Sequence, residues 1–409
     1  MLTWLRRWIA GKARAEQALI PQVQAPLALD LRDPKTIASF DDLAARLRDQ
    51  SPVCPVASGG FLLLDPADVR AAFSNTALSN QPSRFSALAA KNKGKYAAAS
   101  VAANIPPFLD APRHVEVRRW LSKAFFVRFK AFTPQIDLIA KAHAKRFEAG
   151  QSALLIEEVA RAFVVDVIAS FVGISLNTEQ MKQYTGALFR LFAPAKDAAD
   201  FEATNEGLSL ARASLIQALQ ERRSDGAPCL LNQLDQSEVP VEPGNDRDAF
   251  IADNALLILA DGVENVEAAI GQVMMHWAAR APRPATITPD FVRAIITAQT
   301  PGQTIARIAA KDMQLDGHHV FAGTPVFLSL ASANAGAEPQ EDFSFGMGRH
   351  KCIGEQLAVA MITSFCTALI SKPVQIDAAS LEYAPMFGHK WPRGVRIAPI
   401  PFSGAASGQ

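Results

Sequence analysis

At 409 residues the chain is too long for one ordinary core, yet its composition forces no division into separate domains. Hydrophobic residues make up 49% and charged residues 20%, the profile of a soluble globular protein, and a net charge of +1 supplies no field that would argue for nucleic acid or an acidic substrate. The four cysteines, Cys54, Cys229, Cys352 and Cys366, stand far apart with no CxxC pair, which argues against a disulfide framework or a zinc site and for a reducing cytoplasm.

No stretch approaches the roughly 20 apolar residues of a membrane span, so no transmembrane anchor is expected. The opening Met1–Ala10 sets Trp4, Leu5, Trp8 and Ile9 around two arginines. That is enough for one basic amphipathic turn against a membrane surface or a partner, although packing or fraying is the commoner fate of such a terminus. Phe40–Gln50 reads as a short helix, Val53–Leu64 as two strands around Ser58-Gly59-Gly60, and Pro66–Ser74 as a helix again. Residues 83–107 are rich in alanine and lysine without a strong period.

In Asp110-Ala-Pro-Arg-His114-Val-Glu-Val-Arg118, the histidine and the second arginine are four apart. On a helix both reach one side, where they could hold a carboxylate or simply form a basic face. From Phe129 to about Glu221 the chain is mostly helical, broken at Ser175–Thr178 and around Asp197–Asp200, with Leu154–Val172 apolar enough for an interior helix. Asp246–Trp277 is the longest uninterrupted helical pattern. An interior glycine costs a helix about 1 kcal/mol against alanine, so Gly262 suggests a close approach to the backbone there.

The loop Phe345-Gly-Met-Gly-Arg-His-Lys-Cys352-Ile-Gly354 puts three glycines around one cysteine and then enters a helix marked by Leu357, Met361 and Phe365. A cysteine at a helix N-terminus is biased toward thiolate and can ligate iron axially; a glycine-rich turn with a buried cysteine is the plainer alternative.

Position by position this loop resembles the FxxGxxxCxG heme-binding signature of the cytochrome P450 family, including a histidine two before the cysteine. The resemblance extends from about residue 35 to 400 and implies a mainly α fold with small β-sheets, the P450-like triangular prism. It divides the chain into an N-terminal extension (1–34), one heme domain (35–403) and a short tail (404–409). Its cofactor would be heme b, iron protoporphyrin IX. Cys352 would be the metal ligand, Phe345 would shield its sulfur, and Gly346 and Gly354 would admit the heme. His114 and Arg118 match a D-x-P-x-H-x-x-x-R propionate-binding signature, and His350 and Arg307 are implied as further propionate partners. The helices Met181–Phe192 and Phe201–Glu221 would cap the pocket, which Met386–Gly394 enters from the C-terminal side.

Two departures accompany the match. In the central helix, Asp261 stands where a small residue is usual, Glu264 is the expected acid, and Asn265 replaces the usual threonine; these three are the candidate catalytic residues. An alcohol there helps deliver protons, and an amide is a poorer relay. The buried ExxR pair is also missing, its positions falling on Ala294 and Thr297, and the connection from Asn334 to Phe345 is short. Packing by Val292, Ile295 and Ile296 is expected to substitute, and restoring the two charges is expected to destabilise the protein. The family implies a monooxygenase acting on a small organic molecule. Because no flavin, nicotinamide or iron–sulfur motif is present, electrons would come from a separate ferredoxin or flavodoxin-type donor. Peroxide-driven, nitrogen-oxide or rearrangement chemistry, or a non-catalytic heme- or partner-binding role, are the alternatives.

Overall fold

Two Asp-Pro steps set the start of the chain. Asp33 accepts from the Thr36 amide at 2.9 Å and Asp65 from those of Ala67 and Asp68, and each is followed by a proline at the first helical position. The computed structural model describes residues 28–80, 96–146, 152–192, 198–338 and 341–400. The expected amphipathic turn in Met1–Ala10 and the tail 404–409 lie outside them, as does part of 83–107.

The first residues form α1 (Pro34–Ala38), α2 (Phe40–Gln50), β1 (Val53–Pro55), β2 (Phe61–Leu63) and α3 (Pro66–Ser74), the expected helix, hairpin and helix. Packing starts before residue 35, since Leu29 bridges Val56 and both Leu29 and Leu31 are buried. Then follow β3 (Leu78–Ser79), α4 (Ala97–Asn104), α5 (Arg113–Arg146) and β4 (Ala153–Leu154). Within the aperiodic stretch 83–107, residues 97–104 form this helix, where alanines favour helix and Ala98, Ala99, Val101 and Ala102 are buried.

Leu155–Ala160 is a π-helical turn leading into α6 (Arg161–Val172), so the interior helix anticipated over 154–172 is π-wound in its first part. Next come α7 (Thr178–Phe192), α8 (Ala198–Asp225), α9 (Leu230–Asp235), α10 (Arg247–Asp261) and α11 (Val263–Ala279). The central helix is not uninterrupted: at Gly262 the backbone turns to φ −83°, ψ −10°, leaving the α-helical hydrogen-bond register between α10 and α11. The contacts a Cβ would make at Gly262 are ordinary ones at 3.5 Å and beyond, so the glycine marks a break rather than a close approach of protein atoms.

The C-terminal part comprises α12 (Pro289–Ala298), β5 (Thr304–Ala309), β6 (Met313–Leu315), β7 (His318–Val320), β8 (Pro325–Ser329), α13 (Leu330–Gly336), α14 (Glu355–Ile370), β9 (Val374–Asp377), β10 (Glu382–Tyr383), β11 (Pro392–Arg393) and β12 (Arg396–Pro399). The largest sheet runs β1-β2-β8-β5-β3, with β2 and β8 parallel; smaller sheets are β4-β12-β9, β6-β7 and β10-β11. At Gly60 (φ +89°) a Cβ would lie 2.2 Å from the Pro325 carbonyl oxygen, which is why only glycine lets the hairpin turn lie against the strand beside it.

The main core surrounds α10 and α11, which touch α6, α7, α8, α12 and α14 between them. From Phe250 to Ala260 every residue of α10 is buried, the mark of a helix inside the molecule. A second cluster fills the space beneath the large sheet and includes Phe343. Among the described residues no helix is long and apolar enough to cross a membrane.

A candidate active site around Cys352

Gly346 (φ +67°) and Gly348 (φ +64°) take left-handed conformations that turn the loop, and Gly348–His350 then makes one 3-10 turn. Gly354 needs no special freedom, with φ −81°; it is the N-cap of α14, and a Cβ there would sit 3.7 Å from the Cys352 sulfur. Between them the Cys352 amide donates to the Phe345 carbonyl at 2.8 Å, which fixes the cysteine back onto the start of its own loop.

The Cys352 side chain has accessible surface although protein encloses it, so it faces an internal space. Burial pushes its thiol up to about 11, and Asp261 across that space pushes the same way; the Gly354 amide and Arg118 oppose them. The helix N-terminus alone therefore does not secure the expected thiolate. Desolvation outweighs it, and a cation on the sulfur would restore the balance.

Nearby stand several nitrogen-bearing side chains. Among the described residues, His114 is buried with neither ring nitrogen partnered, and His350 Nε2 is buried and unpartnered. Their rings lie 3.9 Å apart. Burial and neighbouring cations lower His114 to about 4 and His350 to about 3. Arg307 is buried, is held down to about 10 by desolvation, and donates to the carbonyl of Ala306. Arg118 donates to the Lys351 carbonyl at 2.5 Å. His114, Arg118, Arg307 and His350 thus lie near one another, and Arg118 is close enough to Cys352 to act on its thiol.

On the opposite side Asp261 is half-buried with no hydrogen-bond partner among the described residues, and burial raises its carboxyl to about 6. Glu264 is buried and raised to about 7, chiefly by desolvation. One of its oxygens accepts from Thr185 on α7; the other has no partner among the described residues. Asn265 is engaged otherwise than expected: its carbonyl accepts from the Trp391 indole at 3.0 Å, tying the C-terminal turn to α11. His389 and Trp391 rings lie 4.6 Å apart, and Phe189 meets Trp391 at 5.0 Å. Sequence reading missed Thr185 and Trp391 as individuals. The C-terminal turn was a signal for Trp391, whereas Thr185 is one hydroxyl in an amphipathic helix and gave none.

At the positions of the missing ion pair, Val292, Ile295 and Ile296 are buried as expected. Ala294, however, is exposed and Thr297 half-buried, both lining a cleft of about 600 Å³ with Asp41, Asn334, Glu341 and Asp342. The site is open to water rather than a buried one from which charges have been removed. A neutral junction holds the short connection: Asn334 donates to Thr300 and Ser344, each at 2.9 Å, and accepts from the Phe343 amide at 2.7 Å.

The structure of CalO2 superposes on this chain with a TM-score of 0.78 at 19% identity, covering 92% of this chain and 100% of that one. The structure of P450BioI with a fatty-acyl-loaded acyl carrier protein gives 0.77 at 18%, covering 90% and 99%. This chain has the cytochrome P450 fold. By sequence it is similar to the cytochrome P450 CYP105Q4 of Mycobacterium marinum, 26% identical over 332 residues, which are 71% of this chain and 75% of that protein. It is also similar to the nocardicin C N-oxygenase of Nocardia uniformis subsp. tsuyamanensis, 25% identical over 380 residues, or 85% of this chain and 89% of its relative. No protein-family model matches.

The cofactor of such P450 relatives is heme, and the residues present here fit it. One sulfur faces an internal space in which a cation is favoured, and His114 and His350 leave buried ring nitrogens unsatisfied among the described residues, with Arg118 and Arg307 nearby, as propionate groups would require.

Proposed function

We propose that this chain is a heme-thiolate monooxygenase of the cytoplasm that oxidises a small organic molecule with electrons from a separate ferredoxin or flavodoxin-type protein. The observation that carries the reading is the convergence of Cys352 with the unsatisfied donors of His114 and His350. When bound, heme supplies the activation of oxygen. Cys352 would hold its iron, His114, Arg118, Arg307 and His350 its propionates, and Phe345, half-buried and bonded to the Cys352 amide, would cover the sulfur.

On the other side the protein's own groups handle protons. Glu264, raised to about 7, can both hold and release a proton near neutral pH, and Thr185 fixes the position of one of its oxygens. Asp261 faces Cys352 and can carry a second proton at slightly lower pH. Trp391, held by Asn265, packs against Phe189 and Ala268 in an apolar cluster beside α11.

One observation favours a second reading. With its carbonyl committed to Trp391, Asn265 offers only its NH2 group and cannot pass a proton on as a hydroxyl does. That arrangement suits peroxide-driven or nitrogen-oxide chemistry, which demands less proton delivery. Consumption of NAD(P)H with surrogate ferredoxin or flavodoxin systems, coupled to a hydroxylated product, supports the first reading. Turnover with peroxide alone, and none with any reductase system, supports the second.

A further inference from the structure

Cys352 lies between two residues whose side chains meet. Lys351 Nζ is 2.8 Å from Glu355 Oε2, an i,i+4 ion pair spanning the cysteine. Glu355 is the first residue of α14, where a negative charge is also favoured by the helix N-terminus. Its other oxygen, Oε1, pairs with Arg293 on α12, and Thr297 bonds back to the Arg293 carbonyl at 3.0 Å. Arg118 on α5 meanwhile binds the Lys351 carbonyl. The loop's start is held by the neutral Asn334 junction at Phe343 and Ser344; its end is held by charges.

The loop needs such holding, because two left-handed glycines in three residues leave its backbone few intrinsic restraints. The Lys351–Glu355 pair is local and cannot by itself index the cysteine against the rest of the molecule. Arg293 can: α12 is seated in the core by Val292, Ile295 and Ile296, and the guanidinium reaches from that fixed wall to the residue three beyond Cys352. Arg293 stands four residues before Thr297, on the neighbouring side of α12, and its guanidinium reaches the cysteine loop through Glu355.

We propose that Arg293 is a positioning residue for Cys352, acting through Glu355. This rests on the reading of Cys352 as the iron ligand. The test uses heme-loaded protein and four forms: the parent, Arg293→Ala, Arg293→Lys and Glu355→Gln. The readout is the rate at which the thiolate-type band of the reduced carbon monoxide complex decays to that of protein without thiolate ligation, with the melting temperature measured alongside. Arg293→Ala and Glu355→Gln should each decay about three- to five-fold faster, the scale of a partly exposed ion pair, while Arg293→Lys restores most of the parent's rate. Decay of Arg293→Ala at the parent's rate overturns the inference. So does a faster decay that Arg293→Lys fails to rescue and that only follows a lowered melting temperature. Should Arg293→Ala fail to load heme, Glu355→Gln, which keeps shape and loses charge, decides by the same rates. A parent that lacks the band overturns the Cys352 reading and this inference together.

Discussion

The His114 and His350 rings lie 3.9 Å apart, tilted by 37°, and leave three buried ring nitrogens without partners among the described residues. Each unsatisfied buried group costs about 1 to 3 kcal/mol, a cost that the carboxylates of a bound group would offset under the proposed function. Replacing His114 and Arg118 together by alanine should speed heme loss to an acceptor protein by about tenfold or more, since charge-assisted bonds are lost; unchanged retention would remove both from the propionate set. Glu264 makes a prediction in pH. Its folded-state value is raised from 4.5 to about 7, so the stability it allows is fully present below pH 4.5 and is lost as pH rises through 7. Glu264→Gln keeps the acceptor for Thr185 and cannot ionise. It should therefore match the parent near pH 4.5 and be more stable by about 2 to 3 kcal/mol at pH 8. Equal melting temperatures at both pH values would show that Glu264 is not desolvated.

Two helices carry the departures from the family pattern. The break at Gly262 leaves Asp261 at the last turn of α10 and Glu264 in the first turn of α11, so two carboxyls with raised values face the interior from one interruption. On α12 the exposed Ala294 and half-buried Thr297 line an open cleft. Restoring Ala294→Glu with Thr297→Arg therefore places an i,i+3 pair in water-accessible space. The change in stability should lie within about 0.5 kcal/mol, not the loss that a buried site would impose. A drop of several kcal/mol in denaturant unfolding would show that the cleft closes over these positions in solution.

Across the whole molecule, what could be read in the sequence was what periodicity and turn chemistry determine. The Asp33-Pro34 and Asp65-Pro66 steps, the Gly59-Gly60 turn and the Phe345–Gly354 loop were legible because local rules set them. The break at Gly262 was masked by continuous apolar spacing on both sides, and the π-turn at Leu155–Ala160 by a run apolar enough for any helix. Partners distant in sequence, such as Thr185 with Glu264, Trp391 with Asn265 and Arg293 with Glu355, leave no local signature, since only folding brings them together. The proposed function stands on Cys352. The reduced, carbon monoxide-bound absorption spectrum tests it most directly. The parent should show the thiolate-type band and Cys352→Ala should lose it while remaining at least partly folded; a thiolate-type band that survives in Cys352→Ala would contradict the account.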